Sequence, residues 1–446
     1  MLNTLRRRID TLHTHSGFRR YAINTSWMMA EQVLRIISGL VVGIWVARYL
    51  GPEQFGLFSY VLAFTAIFGG IAKLGFDSVL VRELLNQPEC RDIYLGTAFW
   101  LKIIAALLVL VLMALVVPFT SNDATVSLFI YIIVAGFIFQ GFEVIEFYFQ
   151  SQVLARVVSI CKLGQLSFSS LLKIYLVISE AGLFWFVCVT VFDALSLAIS
   201  YLIAYKVKSD KLFFKRFDAG IAKRLLKDSW PLMFSSVFAM IYLRIDQVMI
   251  KEMLGSHEVG VYSAAVKLAE AFYFLPALIT VSIFPAILNA RKLDIQLYYS
   301  RLQSLYSLLV WLAMSIAVVF NFFGREVLVY LFGDEYAAAG DVLVVYAWSS
   351  VFVFISAGFG RYLVAENLAI INMYRVVLGA LLNVMLNLFT IERYGVVGAA
   401  YSTLISLFVV NYVFDFFSAK LHLQLRFKIA AVFYPVILLA RLLRRV

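Results

Sequence analysis

Twelve mostly apolar runs of about twenty residues follow one another along this chain, each parted from the next by a short polar stretch. Hydrocarbon offers no water to an unpaired amide, so each run must satisfy its own backbone groups as a helix. The runs lie at Trp27 to Val46, Phe55 to Leu74, Ile93 to Val117, Thr125 to Phe149, Val157 to Ile178 and Leu183 to Tyr205, and then at Pro231 to Met253, Val259 to Leu288, Leu302 to Phe323, Val342 to Leu363, Ile370 to Phe389 and Val396 to Ala419. Charged residues make up 15% of the sequence, against roughly 25% in soluble domains. The predicted fold class is therefore an all-α integral membrane protein of about twelve transmembrane helices. A further apolar run, Ile429 to Ala440, is too short to span and contains Pro435, which predicts an interfacial segment.

The runs are also organised as a duplication. Trp27, Leu50, Gly51, Gly56 and Ser59 reappear as Trp230, Leu254, Gly255, Gly260 and Ser263, with Phe58 matched by Tyr262. An even number of helices per copy gives both copies the same topology, so two six-helix lobes are expected as parallel repeats about a pseudo-two-fold axis along the membrane normal. The expected divisions are 1–26 as a basic cytoplasmic segment, 27–205 as the first lobe, 206–229 as a linker, 230–419 as the second lobe and 420–446 as a basic tail. Phe213 and Phe214 among the lysines of 206–229 suggest an amphipathic linker lying on the membrane.

With the N-terminus in the cytoplasm, successive loops put most loop cations inside: Arg6, Arg7, Arg8, Arg19 and Arg20 first, later Arg361, Arg375, Lys420, Arg426, Lys428, Arg441, Arg444 and Arg445. Only Arg48, Lys251, Arg325 and Arg393 fall outside, an asymmetry that predicts cytoplasmic termini. The net charge of +11 then reads as attraction to anionic inner-leaflet lipid and calls for no nucleic acid. Cys90, Cys161 and Cys188 have no paired spacing, so neither a metal site nor a disulfide framework is expected, nor any cofactor. No short apolar core with a cleavage site precedes Trp27, and the first helix is expected to stay as an anchor.

A charge near the bilayer centre costs about 2.5–3.5 kcal/mol unless it faces protein or water. Arg35, Asp193, Arg244 and Asp246 lie deep within their runs and must face inward. Glu31 and Arg35, four apart, and Lys267 and Glu270, three apart, can form local ion pairs. Arg244 and Asp246 point to nearly opposite sides of one helix, so Asp246 should meet another helix while Arg244 shares a stripe with Gln247 and Lys251. Lys162 and Lys173 lie near helix ends and can snorkel, and Glu143 and Glu146 read as interfacial. The candidate cations for an anionic head group are Arg35, Arg244, Lys267 and Lys102, since a guanidinium fork matches phosphate oxygens in pairs. Asp193, Asp246 and Glu270 are the candidates for coupling to a proton or sodium gradient or to the membrane potential. Pro276 and Pro285 interrupt the eighth run and are candidate hinges.

The set of motifs resembles the O-antigen flippases called Wzx, within the multidrug/oligosaccharidyl-lipid/polysaccharide exporter superfamily. The resemblance rests on Leu50-Gly51-Pro52-Glu53-Gln54-Phe55-Gly56, Arg244-Ile245-Asp246-Gln247, Gly260-Val261-Tyr262-Ser263-Ala264-Ala265, Leu331-Phe332-Gly333-Asp334-Glu335-Tyr336, and Leu382-Asn383-Val384-Met385-Leu386-Asn387 leading to Gly395-Val396-Val397-Gly398-Ala399-Ala400. It implies a two-lobed bundle in the bacterial inner membrane that alternates between inward and outward openings. The implied cargo is an oligosaccharide repeat unit on undecaprenyl diphosphate, moved to the periplasmic leaflet, with polysaccharide polymerase and chain-length proteins as partners. The resemblance also places Arg35 and Arg244 on cavity-lining helices. A drug or cation antiporter of the same fold is the first alternative, although acidic and aromatic cavity walls would be expected of it. A membrane glycosyltransferase or polymerase is the second, although the longest outside loop, Gly324 to Asp341, is short for a catalytic platform.

Overall fold

A computed structural model describes residues 16–208 and 213–434. All regular structure among them is helical. Ten helical stretches are long and apolar enough to cross a membrane. Two of these, Ser26–Asn86 and Ile370–Phe417, each hold two of the expected runs. The chain leaves helical geometry inside them at Gly51 (φ 67°, ψ 170°) and Gly395 (φ 60°, ψ −145°), so the twelve runs read from the sequence are accounted for. Gly255 and Gly333 also hold positive φ, at 101° and 103°. Each of these four glycines lies in the connection between two expected runs, in a region that side chains with a Cβ avoid.

The helices are α1 (Ser16–Lys73), α2 (Phe76–Asn86), α3 (Arg91–Val116), α4 (Ala124–Ala135), α5 (Glu143–Ser151), α6 (Ala155–Ile178), α7 (Leu183–Lys208), α8 (Ala219–Leu254), α9 (Ser256–Glu270), α10 (Phe274–Leu293), α11 (Ile295–Phe332), α12 (Ala339–Ala365), α13 (Ala369–Phe408), α14 (Phe414–Phe417) and α15 (His422–Val432). Two expected runs are broken. The fourth is interrupted by a 3-10 stretch at Gly136–Phe142, where a Cβ on Gly141 would lie 2.8 Å from Ile103 Cδ1. The eighth parts into α9 and α10 at residues 271–273. Pro276 therefore sits in the first turn of α10, where its missing N–H is no loss, while Pro285 lies inside that helix. Between α13 and α14 the chain widens into a π turn, Val409–Val413.

Close packing divides the chain into two units: residues 16–43 with Phe68–Val237, and Ile44–Ile67 with residues 238–434. They differ from the lobes 27–205 and 230–419 in that Ile44–Ile67 packs with the second set. The first unit is built around Phe76, Leu80, Tyr94, Phe99, Val144, Phe149 and Tyr205. Phe213 belongs to this core as well, fully buried against Phe99 and Tyr205, so the residue expected on a membrane-surface linker is a packing residue. Gly96 makes the approach possible, since a Cβ there would lie 2.0 Å from the Arg216 carbonyl oxygen. The second unit is built around Tyr306, Leu309, Phe354, Phe359 and Leu363.

Within the second unit, the start of the helix after Gly51 crosses α9 backbone to backbone. A Cβ on Gly56 would lie 1.8 Å from the Ser256 carbonyl oxygen, and one on Gly260 would lie 2.0 Å from that of Pro52. Gly56 and Gly260 are equivalents in the duplication, and so are Pro52 and Ser256. The crossing is thus self-complementary.

Two loop cations of the sequence reading are in fact buried. Arg375 is inside α13 with its guanidinium 4.4 Å from the centre of the Phe359 ring, and Lys428 of α15 is fully buried on the same ring. Loop alternation assigns a cation its side of the membrane and says nothing of its depth. Around them α15 docks on α11, with Tyr306 donating to Gln424 Oε1 at 2.8 Å and Trp311 donating to the Ala431 carbonyl at 3.1 Å. The beginning of the run 429–440 is therefore partly packed. Pro435, Arg441, Arg444 and Arg445, like Arg6, Arg7 and Arg8, lie outside the described residues.

Candidate functional site

In the second unit, α8 and α9 carry charges onto the wall of a cavity of about 450 Å³, which the helix after Gly51 completes with Phe55, Phe58 and Ser59. Arg244, Gln247, Lys267 and Glu270 line it. Arg244 Nη2 approaches Glu270 Oε2 at 3.4 Å, a loose pairing beside the 2.6–3.0 Å ion pairs of the first unit. Lys267 Nζ lies 5.6 Å from the centre of the Phe55 ring. The charged lining groups are the two cations Arg244 and Lys267 and the carboxylate of Glu270. Lys251, expected on the Arg244 stripe, faces the Tyr60 ring at 5.9 Å instead.

Asp246 turns away from this cavity, as its position two residues after Arg244 requires. Its carboxylate is buried and accepts hydrogen bonds from Tyr262 Oη and Thr403 Oγ1 on Oδ2 and from Asn387 Nδ2 on Oδ1, all at 2.6 Å. Asn387 Nδ2 also reaches Asn383 Oδ1 at 3.2 Å, and Asn387 Oδ1 has no hydrogen-bond partner among the described residues. No cation lies within ion-pairing distance of Asp246 among the described residues. A negative charge solvated only by neutral dipoles suits the reversible capture of a small cation or proton. Asn383, Asn387 and Thr403 were not among the sequence candidates, although polar residues four apart inside an apolar run are a readable signal.

The two features are linked by contacts within this unit. The Tyr262 ring meets Tyr346 edge to face at 6.1 Å between centres, and Tyr346 Oη donates to Glu270 Oε1 at 3.5 Å. Asp246, Tyr262, Tyr346, Glu270 and Arg244 therefore form one continuous chain of contacts.

The remaining candidates lie in the first unit. Arg35 Nε donates to Glu31 Oε1 at 2.7 Å, the pair expected from their spacing. Lys102 is buried and bonds Glu143 at 2.7 Å, Lys162 bonds Glu146 at 2.6 Å, and Lys173 bonds Asp193 at 3.0 Å. Lys162 and Lys173 are thus held in ion pairs between helices, where the sequence suggested snorkelling. Arg35, Glu143 and Asp193 line one cavity of about 320 Å³. Of the sequence candidates, Arg35 and Asp193 thus share one cavity in the first unit, and Arg244, Lys267 and Glu270 share another in the second.

A helical protein that crosses the membrane repeatedly and keeps charged cavities among its helices is a membrane transporter in architecture. The chain belongs to the polysaccharide biosynthesis protein family, which residues 22–291 match. It is 21% identical over 406 residues to the capsular polysaccharide biosynthesis protein CapF of Staphylococcus aureus, covering 89% of this chain and 99% of that one. A segment of 183 residues is 27% identical to the probable low-salt glycan biosynthesis flippase Agl15 of Haloferax volcanii, covering 40% of this chain and 38% of that one. Among solved structures it resembles an inward-facing multidrug resistance MATE family transporter of the MOP superfamily, with a TM-score of 0.58, 16% identity and 84% and 92% of the two chains covered. It also resembles the lipid II flippase MurJ in an inward closed conformation, with a TM-score of 0.54, 16% identity and 94% and 92% covered. The fold is thus that of the exporter superfamily expected from the motifs.

Proposed function

We propose that this protein flips an oligosaccharide repeat unit, carried on undecaprenyl diphosphate, from the cytoplasmic to the periplasmic leaflet by alternating access. The carrying observation is Arg244 on the wall of this cavity, held only loosely by Glu270 at 3.4 Å. A guanidinium in a loose pair can exchange a carboxylate for phosphate oxygens without first breaking a tight bond. Family membership supports a role in surface polysaccharide assembly, with O-antigen as one such product and a polymerase and chain-length proteins as neighbours. The site of action is the inner membrane with both termini cytoplasmic, a reading supported by the loop charges.

Asp246 is the coupling residue in this proposal. Taking up a proton or sodium ion there cancels the carboxylate charge that orients Tyr262, and the tyrosine pair relays the change to Glu270 and hence to Arg244. Lys102 and Arg35 play no part in head-group capture, because Glu143 and Glu31 already neutralise them.

The test is reconstitution into liposomes with a fluorescent undecaprenyl-diphosphate saccharide. Accelerated transfer between leaflets under an imposed proton or sodium gradient is the expected result. Transfer no faster than in protein-free vesicles under either gradient overturns the proposal.

A further inference from the structure

The cavity of the first unit differs in kind from the one at Arg244. Arg35, Phe139, Gln140, Glu143, Gln165 and Asp193 are on its wall, and its volume of about 320 Å³ is at the small end of ligand sites. Its charges are cancelled before any ligand arrives. Arg35 is held by Glu31, Glu143 by Lys102 and Asp193 by Lys173. A diphosphate there would meet two carboxylates and no spare cation.

Two oxygen atoms on this wall are nevertheless left over. Gln140 Oε1 and Asp193 Oδ1 are buried and have no hydrogen-bond partner among the described residues, whereas Arg35 Nη2 lies 2.6 Å from Glu31 Oε1. A buried polar atom without a partner costs about 1–3 kcal/mol, so two of them on one small cavity mark a site built for something that bonds to them. The 3-10 stretch Gly136–Phe142 is what brings Phe139 and Gln140 to the wall in the middle of an otherwise helical run. Such interruptions recur at functional positions.

The donors and acceptors are mixed: a guanidinium that only donates, a carboxylate oxygen that only accepts, and two amides that do both. Hydroxyl groups, each a donor and an acceptor, complement such a wall, and Phe139 supplies an apolar face for the C–H side of a ring. We infer that this cavity binds one uncharged sugar ring of the transported glycan. The inference rests on the flippase reading and adds to it a second site that reads sugar where the Arg244 cavity reads phosphate.

Purified protein in detergent is titrated by microscale thermophoresis with undecaprenyl diphosphate alone, and with the same lipid carrying a single glucose, galactose, N-acetylglucosamine or N-acetylgalactosamine. At least one sugar should tighten binding about tenfold over the bare lipid, the increment expected from one or two well-made hydrogen bonds. Gln140→Ala and, independently in the regular helix α6, Gln165→Ala should each remove most of that increment and leave the bare lipid bound as before, which also shows that the variants are folded. If no sugar tightens binding, or if the variants leave the increment intact or weaken bare and sugar-bearing lipid alike, the sugar site is overturned while the head-group site stands. If the wild type binds none of the five lipids, the flippase reading itself has failed.

Discussion

Arg244 and Glu270 face each other across 3.4 Å at the wall of a cavity, a wider gap than any other arginine–glutamate pair of the described residues shows. The geometry leaves the guanidinium available to a better acceptor. Replacing Arg244 with alanine should weaken binding of undecaprenyl diphosphate about 10- to 100-fold, the scale of one or two charge-assisted hydrogen bonds. Arg244→Lys should recover part of that, because it restores the charge and not the fork. Titration of the purified variants with the bare lipid measures both. Undiminished binding by the alanine variant would remove Arg244 from the head-group site.

Asp246→Asn keeps the shape of the carboxylate and removes its charge, so transport should continue at a rate that no longer responds to an imposed ion gradient. Tyr346→Phe deletes only the hydroxyl that reaches Glu270 and should weaken the gradient response without altering the ion site itself. Leaflet transfer in liposomes with and without a gradient gives the comparison. A full gradient response in both variants would show that coupling does not run along this chain of contacts.

The backbone crossing at Gly56 and Gly260 has no room for a methyl group on either side. Gly260→Ala should lower the thermal unfolding midpoint in detergent by several degrees, since the backbone itself must shift. Gly164→Ala is the control, as nothing lies within 4 Å of a Cβ there and alanine is the better helix former. Equal midpoints for the two variants would mean that the crossing is looser than its geometry indicates.

Asp415 is shared between Lys428, at 2.6 Å, and Arg375, at 3.6 Å, and all three are buried. Two cations against one anion leave an excess charge, so Asp415→Asn should destabilise more than Lys428→Met, which restores balance. Burial and the nearby Arg375 push the Lys428 ammonium down to about 7, against the pull of Asp415. The folded state therefore binds this proton less well than the unfolded chain, and stability should rise as pH increases from about 7 towards the ordinary lysine range. Thermal unfolding midpoints across that window should climb in the wild type and climb less in Lys428→Met.

Where the sequence was legible, the spacing lay within one helix. Glu31 and Arg35 are four apart and form the pair that spacing allows, and Asp246 points away from Arg244 as a helical turn demands. Partners drawn from other helices were invisible: nothing in the spacing ties Lys102 to Glu143, Lys173 to Asp193 or Thr403 to Asp246. Glu270 illustrates the limit, since Lys267 stands three residues away in sequence and Arg244 of another helix approaches it in space. The apolar runs and the duplication were readable because they are properties of whole segments. The depth of Arg375 and Lys428 was not, because a basic residue near a helix end looks the same whether it meets lipid head groups or a buried aspartate.

The contact at Gly56 and Gly260 has one more implication, which concerns ancestry. A patch that touches its own duplicate through the same atoms on both sides is what two identical molecules use to pair. Such an interface would have served a homodimer of half-length chains before a gene fusion joined them, and each copy has kept the glycine that the contact demands.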